Sequence, residues 1–328
     1  MSSPQRHLLV TGASGFFGSE IINAARTSGW HVRAFDRRLR EFHAGVDTII
    51  GNIDDREALD QACHGASAVI HAAGLAHVFG RAAKNASLFN EVNEMGTAHL
   101  MDAAVKAGVP KIVLVSSVSV YGKYTGASCD ESQPCHPQGP YAISKWRGEL
   151  RAIEKLQGRS GSLTILRFAT IYGEGDRGNV AKLIDSLDRG CFIWPGYGLN
   201  QKSLIYKQDA ARACVRALDS SRSDIGIYNV SAPSVTMREI VSAICDALNR
   251  PVPRITIPAP ALALGAAMCR WIGDPGQLGQ RVQKFLHDDI YDGSKFETTF
   301  QYKSAISLYE GMRREIDCMR AIDSRFSK

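Results

Sequence analysis

Short apolar runs alternate with longer amphipathic stretches through the first two-thirds of the 328-residue chain. Runs rich in β-branched residues predict buried strands, and the stretches between them predict helices with one apolar side. The predicted strands are 7–12, 31–36, 48–52, 68–74, 111–117 and 163–169, and the predicted helices are 16–28, 55–63, 87–107 and 142–157. This alternation is typical of an α/β fold with a doubly wound parallel sheet.

The pattern changes after Gly173, where glycine and proline recur more densely, as in WPGYG at 194–198. Such punctuation favours a smaller, loop-rich second unit. We therefore predict two domains. The first spans 1–170 with 203–230 returning to it, and the second, also α/β, is made of 171–202 and 231–328.

The composition is that of a globular chain, with 45% hydrophobic and 22% charged residues. The chain carries 39 Lys+Arg against 33 Asp+Glu, which leaves a net charge of +6. The basic residues are scattered, and no run longer than Arg37-Arg38 or Arg313-Arg314 resembles a nucleic-acid stripe. An anionic small molecule is a sufficient partner for this charge.

The eight cysteines form no CxxC pair and no zinc-site spacing, so reduced thiols, no metal and a cytoplasmic location are predicted. The N-terminus has no signal-peptide pattern. The most apolar window, 259–273, is interrupted by Arg270 and is shorter than the roughly 20 residues of a spanning helix. It predicts a buried helix, with a helix on a membrane surface as the alternative.

The stretch TGASGFFG, residues 11–18, follows a predicted strand and opens a predicted helix. Gly12 would permit a tight turn, Gly15 would let the backbone approach a pyrophosphate, and Gly18 would let the helix pack closely on the sheet. The helix N-terminus would hold the phosphate charge. This context favours a dinucleotide-binding Rossmann domain over an ordinary glycine-rich turn.

Asp36 ends the next predicted strand, 18 residues after Gly18. A carboxylate there would accept hydrogen bonds from the adenosine ribose hydroxyls and repel the extra phosphate of NADP. NAD is therefore the favoured cofactor. Arg37 follows directly and could accommodate a 2′-phosphate or stack on adenine, so NADP stays as the less favoured alternative.

Tyr141 and Lys145, four positions apart on a predicted helix, share one helix face. A phenol with a pKa of about 10 is a poor base at neutral pH, and a nearby cation stabilises its phenolate. Tyr141 could then exchange a proton with a substrate hydroxyl or carbonyl while hydride moves to or from the dinucleotide. Ser117, at the end of a predicted strand, would donate to the same oxygen. The alternatives are a solvent-facing Tyr/Lys pair and a capping serine.

The ordered set of motifs resembles the extended short-chain dehydrogenase/reductase superfamily through most of the chain. The matching stretches are TGASGFFG, Asp36, GNIDD (51–55), HAAG (71–74), EVNEMGT (91–97), SSVSVYG (116–122), YAISK (141–145), LRFATIYGEGDRGN (166–179) and SLIYKQDAARA (203–213). The resemblance implies that Ser117, Tyr141 and Lys145 form the catalytic group, with Ser117 preferred over Ser116 and Ser119 by its place in the motif.

The same resemblance implies further dinucleotide contacts beyond the glycines, Asp36, Tyr141 and Lys145. These residues are Phe16, Phe17, Arg37, Asn52, Ile53, His71, Ala72, Ala73, Gly74, Asn93 and Ser116. His71 is interpreted as a strand-end histidine whose backbone lines the cofactor, and not as an acid or base. Asn93 has a packing role as its alternative.

Val118 and Ser119 separate the branches of the superfamily. Dehydratases that resemble this chain carry Asp-Glu there, because β-elimination needs a second acid and base, and decarboxylases tend to carry a Glu. The chain instead resembles the nucleotide-sugar 4-epimerase and 4-reductase branch. The implied reaction is epimerisation or 4-keto reduction at C4 of a UDP-hexose or its N-acetyl derivative, in polysaccharide synthesis.

The substrate-binding residues that this branch implies are Ser117, Ser119, Asn179 and Lys202. Asn179 would contact the diphosphate, with a helix cap as its alternative, and the loop from Trp194 to Gly198 would line the uridine pocket, with packing as the alternative for Trp194. Lys202 stands where related epimerases often place an arginine, and lysine gives up the bidentate fork. Arg281 is a candidate for a second diphosphate-binding residue.

Two other functions share parts of this pattern. A 3β-hydroxysteroid or lipid-linked-sugar dehydrogenase of the same superfamily would use the same catalytic residues. A dinucleotide-binding sensor without catalysis would need neither Tyr141 nor Lys145, and both are present. The resemblance also implies a homodimer formed through helices 87–107 and 142–157.

Overall fold

A computed structural model describes residues 6–38, 45–76, 85–123, 127–219, 224–257 and 287–322. The apolar window 259–273 and Arg281 lie outside these residues. Within the described ranges, no helix is long and apolar enough to cross a membrane. The seven cysteines in these ranges are all free thiols.

The strands and helices follow the alternation that the sequence predicts. The strands are β1 (His7–Thr11), β2 (His31–Asp36), β3 (Asp47–Ile50), β4 (Ala68–His71), β5 (Lys111–Ser117), β6 (Ser162–Phe168), β7 (Thr170–Tyr172), β8 (Trp194–Pro195), β9 (Gln201–Lys202), β10 (Leu204–Tyr206), β11 (Ile225–Val230), β12 (Val235–Thr236) and β13 (Thr256–Ile257). The α-helices are α1 (Gly18–Thr27), α2 (Arg56–Cys63), α3 (Ala86–Phe89), α4 (Gly96–Lys106), α5 (Gly139–Leu156), α6 (Asn179–Asp188), α7 (Lys207–Leu218), α8 (Met237–Leu248), α9 (Ser294–Phe300) and α10 (Leu308–Ile322).

Seven of the strands form one parallel sheet in the order β11-β6-β5-β4-β1-β2-β3. The order reverses at β1, which pairs with β2 on one side and with β4 on the other. In open α/β sheets, ligands bind beyond the carboxyl ends of the strands at such a switch point. The predicted doubly wound α/β fold is therefore confirmed, and the switch point lies where the glycine-rich loop follows β1.

The sheet has an apolar core on each face. Leu8 and Val10 belong to one core, with α1 and α7, whereas Leu9 belongs to the other, with α2, α4 and α5. All three side chains are fully buried. Successive side chains of a strand point to opposite faces, which explains the apolar run without alternation. Burying one such side chain stabilises the fold by about 1.5–3 kcal/mol.

The seventh strand, β11, has no counterpart among the six predicted strands. It lies at the edge of the sheet beside β6, and its sequence IGIYNV contains Gly226 and Asn229, which are rare in strands. Asn229 is fully buried, and its side-chain oxygen accepts from the Tyr121 hydroxyl at 2.8 Å. Tertiary hydrogen bonds thus satisfy a residue whose local preference is for turns.

A third apolar core gathers residues from the later part of the chain, among them Trp194, Ile244 and Met312. It is built mainly from α6, α8 and α10, with residues of the short strands β7 and β10, and it contains none from the seven-stranded sheet. The proposed division into two domains stays a prediction.

Candidate active site

The glycine-rich loop turns sharply between β1 and α1. Gly12 has a φ of +68°, and a Cβ at this residue would lie 2.6 Å from the Cα of Ala73. A Cβ on Gly18 would lie 2.0 Å from the carbonyl oxygen of Gly12. The amide of Gly15 donates to that same oxygen at 3.0 Å. The loop is thus a tight cradle that only glycine can build at two of its positions, and it fits the pyrophosphate of a dinucleotide at the N-terminus of α1.

Asp36 lies at the end of β2, beside this loop. Its Oδ2 accepts from the amide of Ser14 at 3.0 Å, and its Oδ1 lies 3.4 Å from the amide of Arg38. The side chains of Arg37 and Arg38 are exposed. Backbone amides therefore orient the carboxylate next to the glycine loop. This is the position from which it would accept hydrogen bonds from the ribose hydroxyls of a dinucleotide.

Replacing Asp36 tests the preference for NAD. We expect Asp36→Ala to weaken NAD binding by roughly 10–100-fold, because hydrogen bonds to a charged group contribute about 1.5–3 kcal/mol. Asp36→Asn keeps the shape and removes only the charge, so we expect it to gain NADP affinity with a smaller loss of NAD. Calorimetric titration with both cofactors measures each change. Equal losses for NAD and NADP in both variants would contradict this role.

Three further residues predicted to contact the cofactor are Phe16 and Phe17 in the glycine loop and Asn52 after β3. Phe17 packs edge-on against Phe168 with ring centroids 5.4 Å apart. The Nζ of Lys207 lies 5.8 Å from the ring centroid of Phe16. Asn52 accepts from the amide of Ile53 through its own Oδ1 at 2.9 Å. Phe17 thus contributes to the core that anchors α1.

His71 ends β4 and is held between two threonines. Its Nδ1 lies 2.7 Å from Thr11 Oγ1, and its Nε2 lies 3.1 Å from Thr97 Oγ1. Burial, assisted by the charge of Lys145, lowers the pKa of His71 to about 3. The ring is therefore neutral at physiological pH, and the contact of the His71 backbone with the cofactor stays a prediction.

Asn93 joins the loop after β4 to helix α5. Its Oδ1 accepts from the Leu75 amide at 2.8 Å, and its Nδ2 donates to the Leu75 carbonyl at 3.0 Å and to Ser144 Oγ at 2.9 Å. Asn93 lies in a π-helical segment, Asn90–Met95, that splits the predicted helix 87–107 into α3 and α4. Such widened turns occur often at functional sites. The side chain of Asn93 thus fixes the position of the loop after β4 relative to α5, the helix that carries Tyr141 and Lys145.

Tyr141, Ser117 and Lys145 meet where β5 ends and α5 begins. Tyr141 is in the first turn of α5, and its phenol interacts with the hydroxyl of Ser117. The Ser117 hydroxyl oxygen also accepts from the amide of Ser119 at 3.2 Å. The ammonium of Lys145 donates to the carbonyl of Val115 at 2.5 Å. The structure thus brings the three predicted catalytic residues to one edge of the sheet.

Burial changes the pKa values of both titratable side chains in this group. Burial raises the pKa of Tyr141, and its hydrogen bond with Ser117 acts in the opposite direction. Burial lowers the pKa of Lys145 to about 8, while the charge of Glu149 acts against this. The ammonium bonds to the Val115 carbonyl of β5. NAD, when bound, supplies the hydride acceptor and a second positive charge.

The two other serines of the motif point to different places. Ser116 is buried, and its hydroxyl donates to Oε1 of Glu149 at 2.5 Å. It alternates with Ser117 along β5, so its side chain lies on the other face of the strand. The hydroxyl of Ser119 is buried and has no hydrogen-bond partner among the described residues.

The predicted substrate-binding residues of the later part of the chain lie in different settings. Asn179 is exposed at the start of α6, whose first amides bond instead to Asp176. Lys202 is buried, and its Nζ donates to Oδ2 of Asp289 at 2.6 Å. Trp194 is buried, and its Nε1 donates to the Pro253 carbonyl at 2.8 Å. Lys202 therefore already forms an ion pair with a carboxylate. Trp194 packs in the third apolar core, and its place in the uridine pocket stays a prediction.

Glu149 and Arg167 are two site-bordering residues that sequence reasoning missed. They form an ion pair with side chains only 2% and 5% exposed, next to Lys145 on α5. Glu149 is four positions after Lys145, and this helical spacing was the signal that could have identified it. Arg167 comes from β6, and no local pattern connects it to the helix.

The fold and the site together define an NAD-dependent enzyme of the extended short-chain dehydrogenase/reductase type. The family model described as "NAD dependent epimerase/dehydratase family" matches residues 8–231, and the chain belongs to that family. This membership confirms the predicted class of enzyme, its resemblance and its NAD cofactor.

Two curated proteins are similar to the chain over nearly its whole length. The N-acetyl-α-D-glucosaminyl-diphospho-ditrans,octacis-undecaprenol 4-epimerase of Escherichia coli O157:H7 is 30% identical over 318 residues, which are 94% of each chain. The UDP-glucose 4-epimerase of Vibrio cholerae is 25% identical over 98% of this chain and 97% of its own. Among solved structures, MoeE5 in complex with UDP-glucuronic acid and NAD has a TM-score of 0.78 and 26% identity, covering 97% of this chain and all of MoeE5.

Proposed function

We propose that this protein is an NAD-dependent 4-epimerase of a hexose or N-acetylhexosamine carried on a diphosphate. The observation that carries the proposal is a single acid/base centre, Tyr141 with Ser117 and Lys145, flanked by Val118 and Ser119. Neither flanking residue can serve as the second acid or base that elimination needs. The similarity of both curated relatives, which are 4-epimerases, supports the same reaction.

In the proposed reaction, Tyr141 moves one proton at the sugar O4. The phenolate of Tyr141 would accept the hydroxyl proton as C4 is oxidised to a 4-keto sugar, and NAD, when bound, would supply the hydride acceptor. The same phenol would return the proton to the oxygen when C4 is reduced again on its opposite face. Ser117 would donate a hydrogen bond to the oxygen throughout, and Lys145 would supply a positive charge. No net oxidation occurs, so the cofactor stays bound.

The nucleotide-sugar substrate is the first candidate for the carrier, in line with the UDP-glucose 4-epimerase. A lipid-linked diphosphate is the second candidate, favoured by the higher identity to the undecaprenol-linked epimerase over 94% of both chains. Both candidates share the sugar diphosphate.

Product analysis without added cofactor tests the reaction and the carrier. The purified protein is incubated with UDP-N-acetylglucosamine, UDP-glucose and N-acetylglucosaminyl-diphospho-undecaprenol, and C4 configuration is read by NMR of the released sugars. We expect inversion at C4 in at least one arm without added NAD. Conversion only of the lipid-linked substrate would select the second candidate.

Three results would contradict the proposal. Stoichiometric NADH consumption with a 4-keto sugar would make the protein a reductase. Oxidation of a steroid alcohol with accumulating NADH would make it a dehydrogenase. Inversion at C4 at an undiminished rate in Tyr141→Phe would show that Tyr141 is not the acid/base of the reaction. Three further features stay predictions. Analytical sedimentation tests the homodimer, cell fractionation tests the cytoplasmic location, and gene disruption tests a role in polysaccharide synthesis.

A further inference from the structure

A buried polar cluster lies one helical turn beyond Lys145. Counted over the whole residue, Glu149 and Arg167 are 2% and 4% exposed. Arg167 donates to Oε2 of Glu149 through Nη2 at 2.7 Å and to Oε1 through Nε at 3.1 Å. The hydroxyl of Ser116 donates to the same Oε1 at 2.5 Å. We refer to Ser116, Glu149 and Arg167 as the buried clamp.

The buried clamp joins the catalytic helix to two neighbouring strands. Glu149 comes from α5, Ser116 from β5 and Arg167 from β6, and the two strand residues are register partners in the sheet. Lys145 bonds to the carbonyl of Val115, the residue directly before Ser116. The clamp therefore fixes the segment of β5 that holds the lysine and presents the catalytic serine.

The charge of Glu149 also acts on Lys145. The two residues share one face of α5, and Glu149 raises the pKa of Lys145 against the effect of burial. Among the described residues, His71 from β4 is a further titratable group on which the lysine charge acts. His71 is neutral because burial holds its pKa at about 3. Cys135 and the clamp arginine face Glu149 itself.

We propose that Glu149 is a positioning residue that keeps Lys145 charged and seated on β5 during proton transfer. Stability alone does not require such a pair, because well-packed apolar residues often replace a buried ion pair without loss. The proposal rests on the proposed function in one respect, namely that Lys145 serves the proton transfer at Tyr141. The charge of Lys145 itself can be measured without any substrate.

The test is the pH dependence of acylation of Lys145 in the full chain. Trace acetic anhydride reacts only with the neutral amine. Mass spectrometry of the peptide that contains Lys145 measures its acetylation at each pH, and the pH of half-maximal acetylation is the labelling midpoint. For Glu149→Gln we expect the midpoint to fall by roughly one pH unit, since an opposite charge within a few ångströms shifts a pKa by about 1–3 units. Glu154→Gln is the matched control, because Glu154 is 63% exposed on the same helix; its midpoint should stay unchanged.

Two further variants separate charge from packing. Ser116→Ala removes a clamp hydrogen bond and keeps the carboxylate, so its midpoint should stay near that of the wild type. Glu149→Gln/Arg167→Gln leaves no buried charge and covers the case in which the single variant does not fold. The midpoint of Lys145 acylation should fall in the double variant too. It should fall by less than in Glu149→Gln, because the single variant keeps the unpaired positive charge of Arg167 near the lysine and the double variant does not.

The proposal is overturned if Glu149→Gln or the double variant keeps the wild-type midpoint, or if Ser116→Ala shifts it as far as Glu149→Gln. Turnover of the NAD-loaded enzyme then tests the link to catalysis. We expect the alkaline limb of kcat in Glu149→Gln to move to lower pH together with the labelling midpoint. If the labelling midpoint shifts in Glu149→Gln but the wild type turns over no sugar, the proposed function is contradicted. The effect of Glu149 on the charge of Lys145 would still stand.

Discussion

Tyr141→Phe is expected to lower kcat by roughly 10²–10⁴-fold, the range typical of the loss of a general acid or base. NAD should stay bound in this variant. Phenylalanine keeps the ring that packs edge-on against Phe89, at a centroid distance of 6.2 Å, and removes only the hydroxyl that interacts with Ser117. The loss should therefore appear in kcat with little change in KM. Single-turnover reduction of bound NAD by the substrate measures the chemical step directly.

Tyr309→Phe is the matched control for this variant. Tyr309 is 47% exposed on α10, so removal of its hydroxyl should change neither turnover nor the thermal midpoint. A Tyr141→Phe enzyme with more than about one-tenth of the wild-type kcat would exclude the phenol as the proton carrier. Equal loss of NAD binding in Tyr141→Phe would instead point to a structural role.

Gly18→Ala is expected to weaken NAD binding by roughly 10–100-fold, because overpacking in a close contact costs about 1–3 kcal/mol. The new Cβ would lie 2.0 Å from the carbonyl oxygen of Gly12 and 2.7 Å from its carbonyl carbon. Both atoms are backbone, so α1 or the loop must move away from the pyrophosphate position. Calorimetric titration with NAD, together with a thermal melt of the free protein, measures the two consequences.

Gly293→Ala is a control with the same chemical change. A Cβ there would meet its nearest atom, the amide nitrogen of Ser231, at an ordinary 3.4 Å, and the φ of −96° is open to any residue. We expect unchanged NAD affinity in this variant. Wild-type affinity in Gly18→Ala would show that the cradle does not hold the cofactor.

Several parts of the site were predictable because their information is local. Gly12 and Gly18 are identified by a strand, a turn and a helix within one short stretch, and Tyr141 and Lys145 by their spacing on one helix. Asp36 follows from its place at the end of the second strand. In each case the neighbours that matter are close in sequence or at the same end of parallel strands, so the fold class already places them together.

Other parts depend on contacts between distant residues. The Glu149–Arg167 pair joins residues from α5 and β6, and Lys202 meets Asp289 from far along the chain. The same reason explains why β11 was missed: its Asn229 is satisfied by Tyr121, from a different element. Periodicity and propensity describe each segment alone and contain no information on such pairs.

The sequence by itself determined the doubly wound α/β fold, and it predicted the glycine-rich loop with its acidic partner and a tyrosine and lysine on one helix face. Only the tertiary structure decided what surrounds them. It placed Lys145 on the Val115 carbonyl and next to a buried carboxylate, and it paired Lys202 with Asp289. The physical reason is that charge and desolvation act through space, and the partners that set them come from strands and helices separated along the chain.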